Sequence, residues 1–115
     1  MAIVAKIQLQ DFVQYGKLFE IYGELLSADR QKIMTDYFEF NMTLVEIAKE
    51  RGISRQAVLD AIDKSCQKLE KFELLLKIAE KKDKLAVSLE EIKNLAKLNK
   101  CEEIIEKVEK INKEI

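Results

Sequence analysis

Apolar residues recur every three or four positions along almost the whole chain, which is the spacing of one face of an α-helix. The first series is Phe12, Tyr15, Phe19, Tyr22 and Leu26. A second series is Val58, Ile62, Cys66, Leu69, Phe72, Leu76 and Ala79. Shorter series follow within residues 89–98 and 101–115. The pattern predicts an all-α fold with an N-terminal helix, a long central helix and a C-terminal helical extension.

Residues that favour helix starts divide these series. Ser27 is a candidate N-cap, and Asp11 and Ser88 each begin a pattern typical of a capping box. After Ser54 the sequence contains no helix breaker before residues 81–84, so the central helix should run for about 25 residues, or ~38 Å at ~1.5 Å per residue. So long a helix needs a neighbour, either the first helix or another subunit. The last series either continues the preceding helix or forms a return helix after Asn99.

Residues 43–58, TLVEIAKERGISRQAV, have the pattern of a helix-turn-helix. Thr43 and Glu46, three positions apart, form a capping box. Ala48 is small where a second helix must cross closely. Gly52 can adopt the left-handed conformation that ends a helix, and we expect Ile53 to plug the corner and Ser54 to cap the next helix. The alternative is an ordinary corner between two helices of a bundle.

Composition limits the chemistry available to the chain. Its 115 residues include no proline, three glycines, two cysteines and no histidine. Without histidine or a C-x-x-C pair, neither a zinc site nor a Ser-His or Cys-His catalytic pair is expected. We therefore expect no enzyme, no metal and no cofactor. The two cysteines should pack as small apolar side chains.

The amino terminus, MAIVAKIQLQ, has an apolar run too short for a signal peptide, and no stretch approaches the length of a membrane span. We expect a cytoplasmic protein.

In helix-turn-helix proteins that bind DNA, the first residues of the second helix reach base edges while the preceding helix crosses the phosphate backbone. Arginine can bond guanine in a bidentate manner and glutamine can bond adenine in the same way. The candidate base-reading residues are Ser54, Arg55, Gln56 and Leu59. The candidate phosphate contacts are Thr43, Lys49, Arg51 and Lys64.

Charge does not favour tight DNA binding by a single copy. The formal net charge of the chain is −1, and residues 27–71 contain eight basic and eight acidic residues. Attraction to phosphates supplies much of ordinary DNA affinity, so a monomer should bind with a dissociation constant that is about micromolar or weaker. A homodimer that engages two half-sites would restore useful affinity.

The segment LSADRQKIMTDYFEFNMTLVEIAKERGISRQAVLDAIDKSCQKLEKFE resembles region four of bacterial sigma factors, which reads the −35 promoter element. More closely, LFEIYGELLSADRQKIMTDYF followed by GISRQAV resembles the YlxM family of small bacterial helix-turn-helix proteins, generally encoded beside the signal recognition particle GTPase or its receptor. The similarity covers residues 18–78. It implies an all-α fold like that of sigma region four. With the break that the pattern places at 81–84, we expect a helix-turn-helix domain over residues 1–80, with its motif at 43–62, and a helical extension over 81–115.

The resemblance also carries expectations about function. It implies a regulatory or accessory protein in the signal recognition particle pathway that binds double-stranded DNA, or an adaptor that binds the particle's RNA or GTPase and not DNA. Ser54, Arg55 and Gln56 match the start of a sigma-type reading helix. Leu59 and Asp60 depart from it, because sigma readers usually have arginine and glutamine there. The sequence is therefore not that of a sigma factor.

Overall fold

The computed structural model describes residues 9–114 of the chain, and all of the regular structure in that range is helical. The helices are α1 (Leu9–Tyr22), α2 (Ala28–Phe38), α3 (Leu44–Arg51), α4 (Arg55–Leu76), α5 (Ile78–Lys97) and α6 (Cys101–Glu114). A short 3-10 helix, Gly23–Leu25, follows α1. The predicted all-α fold is confirmed.

The described residues form two compact units that divide between Lys77 and Ile78. The first unit contains α1 to α4 and the second contains α5 and α6. The sequence predicted two domains that divide near residue 80. That these units are independent domains stays a prediction.

Helix α4 is the centre of the first unit, because α1, α2 and α3 all pack against it. The side chains of Val58, Ile62, Cys66 and Leu69 are fully buried along one stripe of this helix. This stripe is the series that the sequence pattern predicted. Because this stripe is buried, the first unit fixes the position of the first turn of α4.

The later turns of α4 pack on α1. The sequence analysis predicted that so long a helix would pack on either the first helix or another subunit, and the first helix is observed. The Tyr22 hydroxyl donates a hydrogen bond to Glu73 Oε1 at 2.6 Å, and the Tyr22 and Phe72 rings lie 6.0 Å apart. The Tyr15 hydroxyl donates to Glu70 one turn earlier. Burial, with the Glu70 carboxylate beside it, raises the pKa of Tyr15, so this hydroxyl keeps its proton.

Close packing around the end of α1 depends on one glycine. A Cβ atom added to Gly23 would lie 2.8 Å from the Phe19 ring, and both residues are buried. A Cβ atom added to Gly16 would lie at an ordinary 3.6 Å from Phe38. Only the first of these glycines is therefore required by packing.

Three predicted helix boundaries differ from the structure. Helix α4 has 22 residues and ends where Lys77 takes a left-handed conformation, with φ of 54°. The predicted break at residues 81–84 is wrong, because those residues lie inside α5. Ser88 is in the middle of α5 and Asp11 lies inside α1, so neither residue caps a helix.

The second unit is a helical hairpin. Asn99 takes a left-handed conformation, with φ of 56°, and the Lys100 N–H donates to the Leu95 carbonyl at 3.1 Å. The chain then returns as α6, which packs on α5, and an ion pair joins Lys107 to Glu91. Of the two arrangements that the sequence left open, the return helix is the one observed.

Within residues 9–114, no helix combines the length and the apolar character needed to cross a bilayer.

Candidate nucleic-acid interface

The corner between α3 and α4 has the predicted local structure. The Thr43 hydroxyl accepts a hydrogen bond from the Glu46 N–H, and the Glu46 carboxylate accepts one from the Thr43 N–H, both at 3.1 Å. The hydrogen bond from the Thr43 N–H, with a smaller contribution from the Thr43 side chain, lowers the pKa of the Glu46 carboxyl. The capping box fixes the residue at which α3 begins.

Gly52 ends α3 as predicted, with φ of 66°. The Gly52 N–H points to the Lys49 carbonyl at 3.4 Å, and the Ile53 N–H donates to the Ala48 carbonyl at 3.1 Å. This is the hydrogen-bond pattern of a Schellman motif, in which a left-handed residue satisfies the last carbonyls of a helix. Ile53 is 40% exposed, so the prediction that its side chain plugs the corner is wrong. Backbone hydrogen bonds close the corner instead.

Ser54 is the N-cap of α4, and its hydroxyl accepts a hydrogen bond from the Ala57 N–H at 3.0 Å. The side chains of Ser54, Arg55 and Gln56 are all exposed. The corner therefore presents the first turn of α4 to solvent, with Arg55 and Gln56 foremost. We call residues 54–57 the tip of α4.

An acidic residue lies beside the tip. The Gln56 side-chain amide donates to Asp60 Oδ1 at 2.9 Å, and both residues are exposed. The amide has two N–H donors, so one can bond a base while the other stays on Asp60. The Asp60 carboxylate would repel the phosphates of a nucleic acid placed at the tip.

Leu59 does not belong to the exposed set. It is 7% exposed and lies in the core with its neighbour Val58. A buried side chain does not reach a base edge, so the prediction that Leu59 contacts a base is wrong. Its position three residues before Ile62 and seven before Cys66 is the helical spacing that indicates burial.

The four predicted phosphate contacts divide into two groups. The side chains of Thr43, Lys49 and Lys64 are exposed. Arg51 instead forms an ion pair with Asp36, with its Nη2 atom 2.8 Å from Asp36 Oδ2, and this pair joins α3 to α2. The charge of Arg51 is therefore offset by Asp36 within the fold, and its contact with a phosphate stays a prediction.

The exposed side of α4 adds a basic residue that the sequence interpretation did not include. Positions 56, 60, 64, 67 and 71 are spaced by three and four residues, so they lie on one side of the helix. Gln56, Asp60, Lys64, Gln67 and Lys71 occupy these positions, and all five are exposed. Lys71 lies seven residues after Lys64, which is about two helical turns. This spacing is the signal in the sequence that places the two lysines on the same side of α4.

The comparisons with known proteins agree with this architecture. Residues 9–111 match the model of the UPF0122 family, which is described as "Putative helix-turn-helix protein, YlxM / p13 like". The protein FN1394 of Fusobacterium nucleatum subsp. nucleatum is 36% identical over 98 residues, which cover 85% of this chain and 95% of that protein. YlxM of Bacillus subtilis strain 168 is 32% identical over 110 residues, which cover 92% of this chain and 100% of that protein. No solved structure matches the chain.

The family match covers the helix-turn-helix and most of the α5–α6 hairpin. The capping box, the left-handed glycine and the exposed start of α4 give the family description a structural basis in this chain. The chain therefore belongs to the UPF0122 family of YlxM/p13-like helix-turn-helix proteins.

Proposed function

We propose that this protein binds double-stranded DNA by placing the tip of α4 in the major groove. The observation that carries the proposal is the exposure of Ser54, Arg55 and Gln56 at the first turn of a helix whose opposite side is fully buried. This is the geometry by which a recognition helix of the helix-turn-helix class reads base edges. Arg55 and Gln56 are the residues that would read guanine and adenine.

The exposed lysines supply the sequence-independent part of the interaction. Lys49 lies in the last turn of α3, and Lys64 and Lys71 lie along the exposed side of α4. Each phosphate contact releases condensed counterions, so binding should weaken steeply as salt rises. The exposed Thr43 hydroxyl accepts a hydrogen bond from the Glu46 N–H, and its own O–H can still donate to a phosphate.

A single copy should bind weakly. Residues 27–71 carry equal numbers of acidic and basic side chains, and Asp60 stands next to the proposed base-reading residues. Two copies acting together would restore affinity because the second contact is then intramolecular. The proposed functional form is therefore a homodimer that acts as a regulatory or accessory DNA-binding protein.

The test uses fluorescence anisotropy with a labelled pool of random-sequence duplexes at low salt. Arg55→Ala should weaken binding to duplexes selected from the pool by roughly 5- to 150-fold, which corresponds to the ~1–3 kcal/mol of one bidentate base contact. Arg55→Lys keeps the charge but not the two-pronged geometry, so it should retain binding to the pool and lose sequence preference in a selection experiment. The matched control is Lys97→Ala, which removes one positive charge from α5. Equal effects of Arg55→Ala and Lys97→Ala would contradict the proposal.

A second candidate function has its own supporting observation. Three large apolar side chains around the motif are exposed: Phe40 by 67%, Val45 by 48% and Ile53 by 40%. Contact with phosphates does not require them, whereas a protein partner would bury them. Within the adaptor function they favour a protein partner, the GTPase of the signal recognition particle, over its RNA.

Retention on purified, immobilised particle tests the adaptor function. Phe40→Ala should abolish retention of an adaptor, and Arg55→Ala should leave it unchanged. A protein that acts only on DNA should show no retention in either form.

A further inference from the structure

The α5–α6 hairpin does not bury a core of its own. No residue of α6 is buried, and in α5 only Ala79 in the first turn is. Two helices that contact along one line leave the remaining apolar positions in water, and units below about 40 residues rarely form a stable core without further support. The apolar positions of the hairpin are thus available to a partner.

The exposed apolar residues of the hairpin concentrate on one side. The two helices meet along a line of half-buried residues. These are Ser88, Glu91, Ile92 and Leu95 of α5, and Ile104, Lys107 and Ile111 of α6. At 3.6 residues per turn, Leu85 and Leu89 lie about a quarter turn from this contact line on α5. Ile105 and Val108 lie about a quarter turn from it, in the same sense, on α6. Because the helices are antiparallel, the two quarter turns lead to the same side of the hairpin.

The opposite side mixes charged residues with apolar ones, among them Val87 and Leu98. Two shallow grooves lie along it, and both contain Glu91, Lys107 and Lys110. Neither groove is lined by Leu89 or Ile105. We give the name apolar face to the side of the hairpin that carries the following residues: Leu85, Leu89, Ile92, Ala96, Cys101, Ile105 and Val108.

The rims of the apolar face carry opposite charges. The outer edge on α5 bears Lys82 and Lys93, and the outer edge on α6 bears Glu102 and Glu109, all of them exposed. A second hairpin placed face to face, with the twofold axis parallel to the helices, sets α5 of one copy against α6 of the other. The basic edge of each copy then meets the acidic edge of its partner, and the paired helices run antiparallel.

We propose that the apolar face binds the same face of a second copy of this chain, so that two hairpins form an antiparallel four-helix bundle. Such bundles bury the stripes that single hairpins leave exposed, and an isologous interface requires a surface that complements itself. The apolar face meets that requirement in shape and in charge. The inference does not depend on DNA binding, and it can be tested without DNA.

Two residues of α5 that lie two positions apart provide a matched pair of variants. Leu89 is 54% exposed on the apolar face, and Val87 is 59% exposed and lines a groove on the opposite side. Light scattering and sedimentation of the full chain should give twice the 13.4 kDa mass of one copy. Leu89→Glu should reduce the mass to one copy, and Val87→Glu should leave it at two. Far-ultraviolet circular dichroism shows whether each variant keeps its helices.

Cys101 supplies a second measurement on the unaltered protein. It is exposed at the edge of the apolar face, whereas Cys66 is buried, so a thiol reagent should label Cys101 alone. The labelling rate should fall at least several-fold as the protein concentration rises through the range where the mass doubles. A one-copy mass at all concentrations, or equal effects of the two glutamate variants, would overturn the proposal. A labelling rate that does not depend on concentration would also overturn it.

Discussion

Asp60 should act as a brake on DNA binding, and its removal should tighten binding. Its charge repels a phosphate about 7 Å away by about 0.6 kcal/mol in water. Its hydrogen bond with the Gln56 amide, at 2.9 Å, uses one of two N–H donors and therefore does not block contact with a base.

Two substitutions test this repulsion. Asp60→Asn removes the charge and keeps an acceptor for Gln56, and Asp60→Ala removes both. Because each removes the charge, each should raise affinity about threefold.

Fluorescence anisotropy with random-sequence duplexes at several salt concentrations measures these changes. Asp83→Asn is the control, because it makes the same change of net charge on α5. A gain of affinity does not arise from unfolding, so a positive result needs no correction for stability. The reasoning is refuted if both variants at position 60 bind no more tightly than the Asp83→Asn protein.

Three further predictions concern stability. Gly23→Ala should lower the free energy of unfolding by about 1–3 kcal/mol because its Cβ would lie 2.8 Å from a buried ring, whereas Gly16→Ala, inside α1, should raise it by about 0.5–1 kcal/mol; urea denaturation tests both signs. Asp36→Asn should destabilise by about 1–3 kcal/mol, and a double-mutant cycle with Arg51→Met should show coupling, since the side chains form one ion pair. Burial raises the pKa of the Cys66 thiol to about 12, so the unfolded chain releases this proton first. Stability should therefore fall between about pH 9 and 12, by up to about 4 kcal/mol, and Cys66→Ala should flatten that decline in alkaline denaturation.

The sequence predicts the helix-turn-helix corner well because each of its requirements is local. Thr43 and Glu46 complete a capping box within four residues, and Gly52 alone accounts for the left-handed end of α3. Ser54 caps α4 through a neighbour three residues away. Hydrogen bonds between residues close in sequence depend little on the rest of the fold.

The boundaries of α5 were not predictable from local pattern. Ser88 and Glu91 have the spacing of a capping box, but that pattern starts a helix only when the preceding residues are not already helical. The actual break occurs at Lys77, in the left-handed region where L side chains are disfavoured by about 1–2 kcal/mol. No glycine, proline or asparagine marks that position.

The candidate site differs from the sequence interpretation for two reasons. The prediction for Leu59 follows from its place in the first turns of the second helix, although its helical spacing from Ile62 and Cys66 indicates the burial that the structure shows. Arg51 pairs with Asp36, fifteen positions away, and no local pattern links the two residues. The first difference is one of weighting, and the second reflects tertiary contacts that a single sequence does not reveal.

The most direct test of the central claim is a map of amide chemical shifts in ¹⁵N-labelled protein as random-sequence duplex DNA is added at low salt. We expect the largest chemical-shift changes at the amides of Ser54, Arg55, Gln56 and Ala57, and smaller changes near Lys64. Absence of changes at the tip of α4, with changes confined to other helices or absent altogether at millimolar DNA, would contradict it.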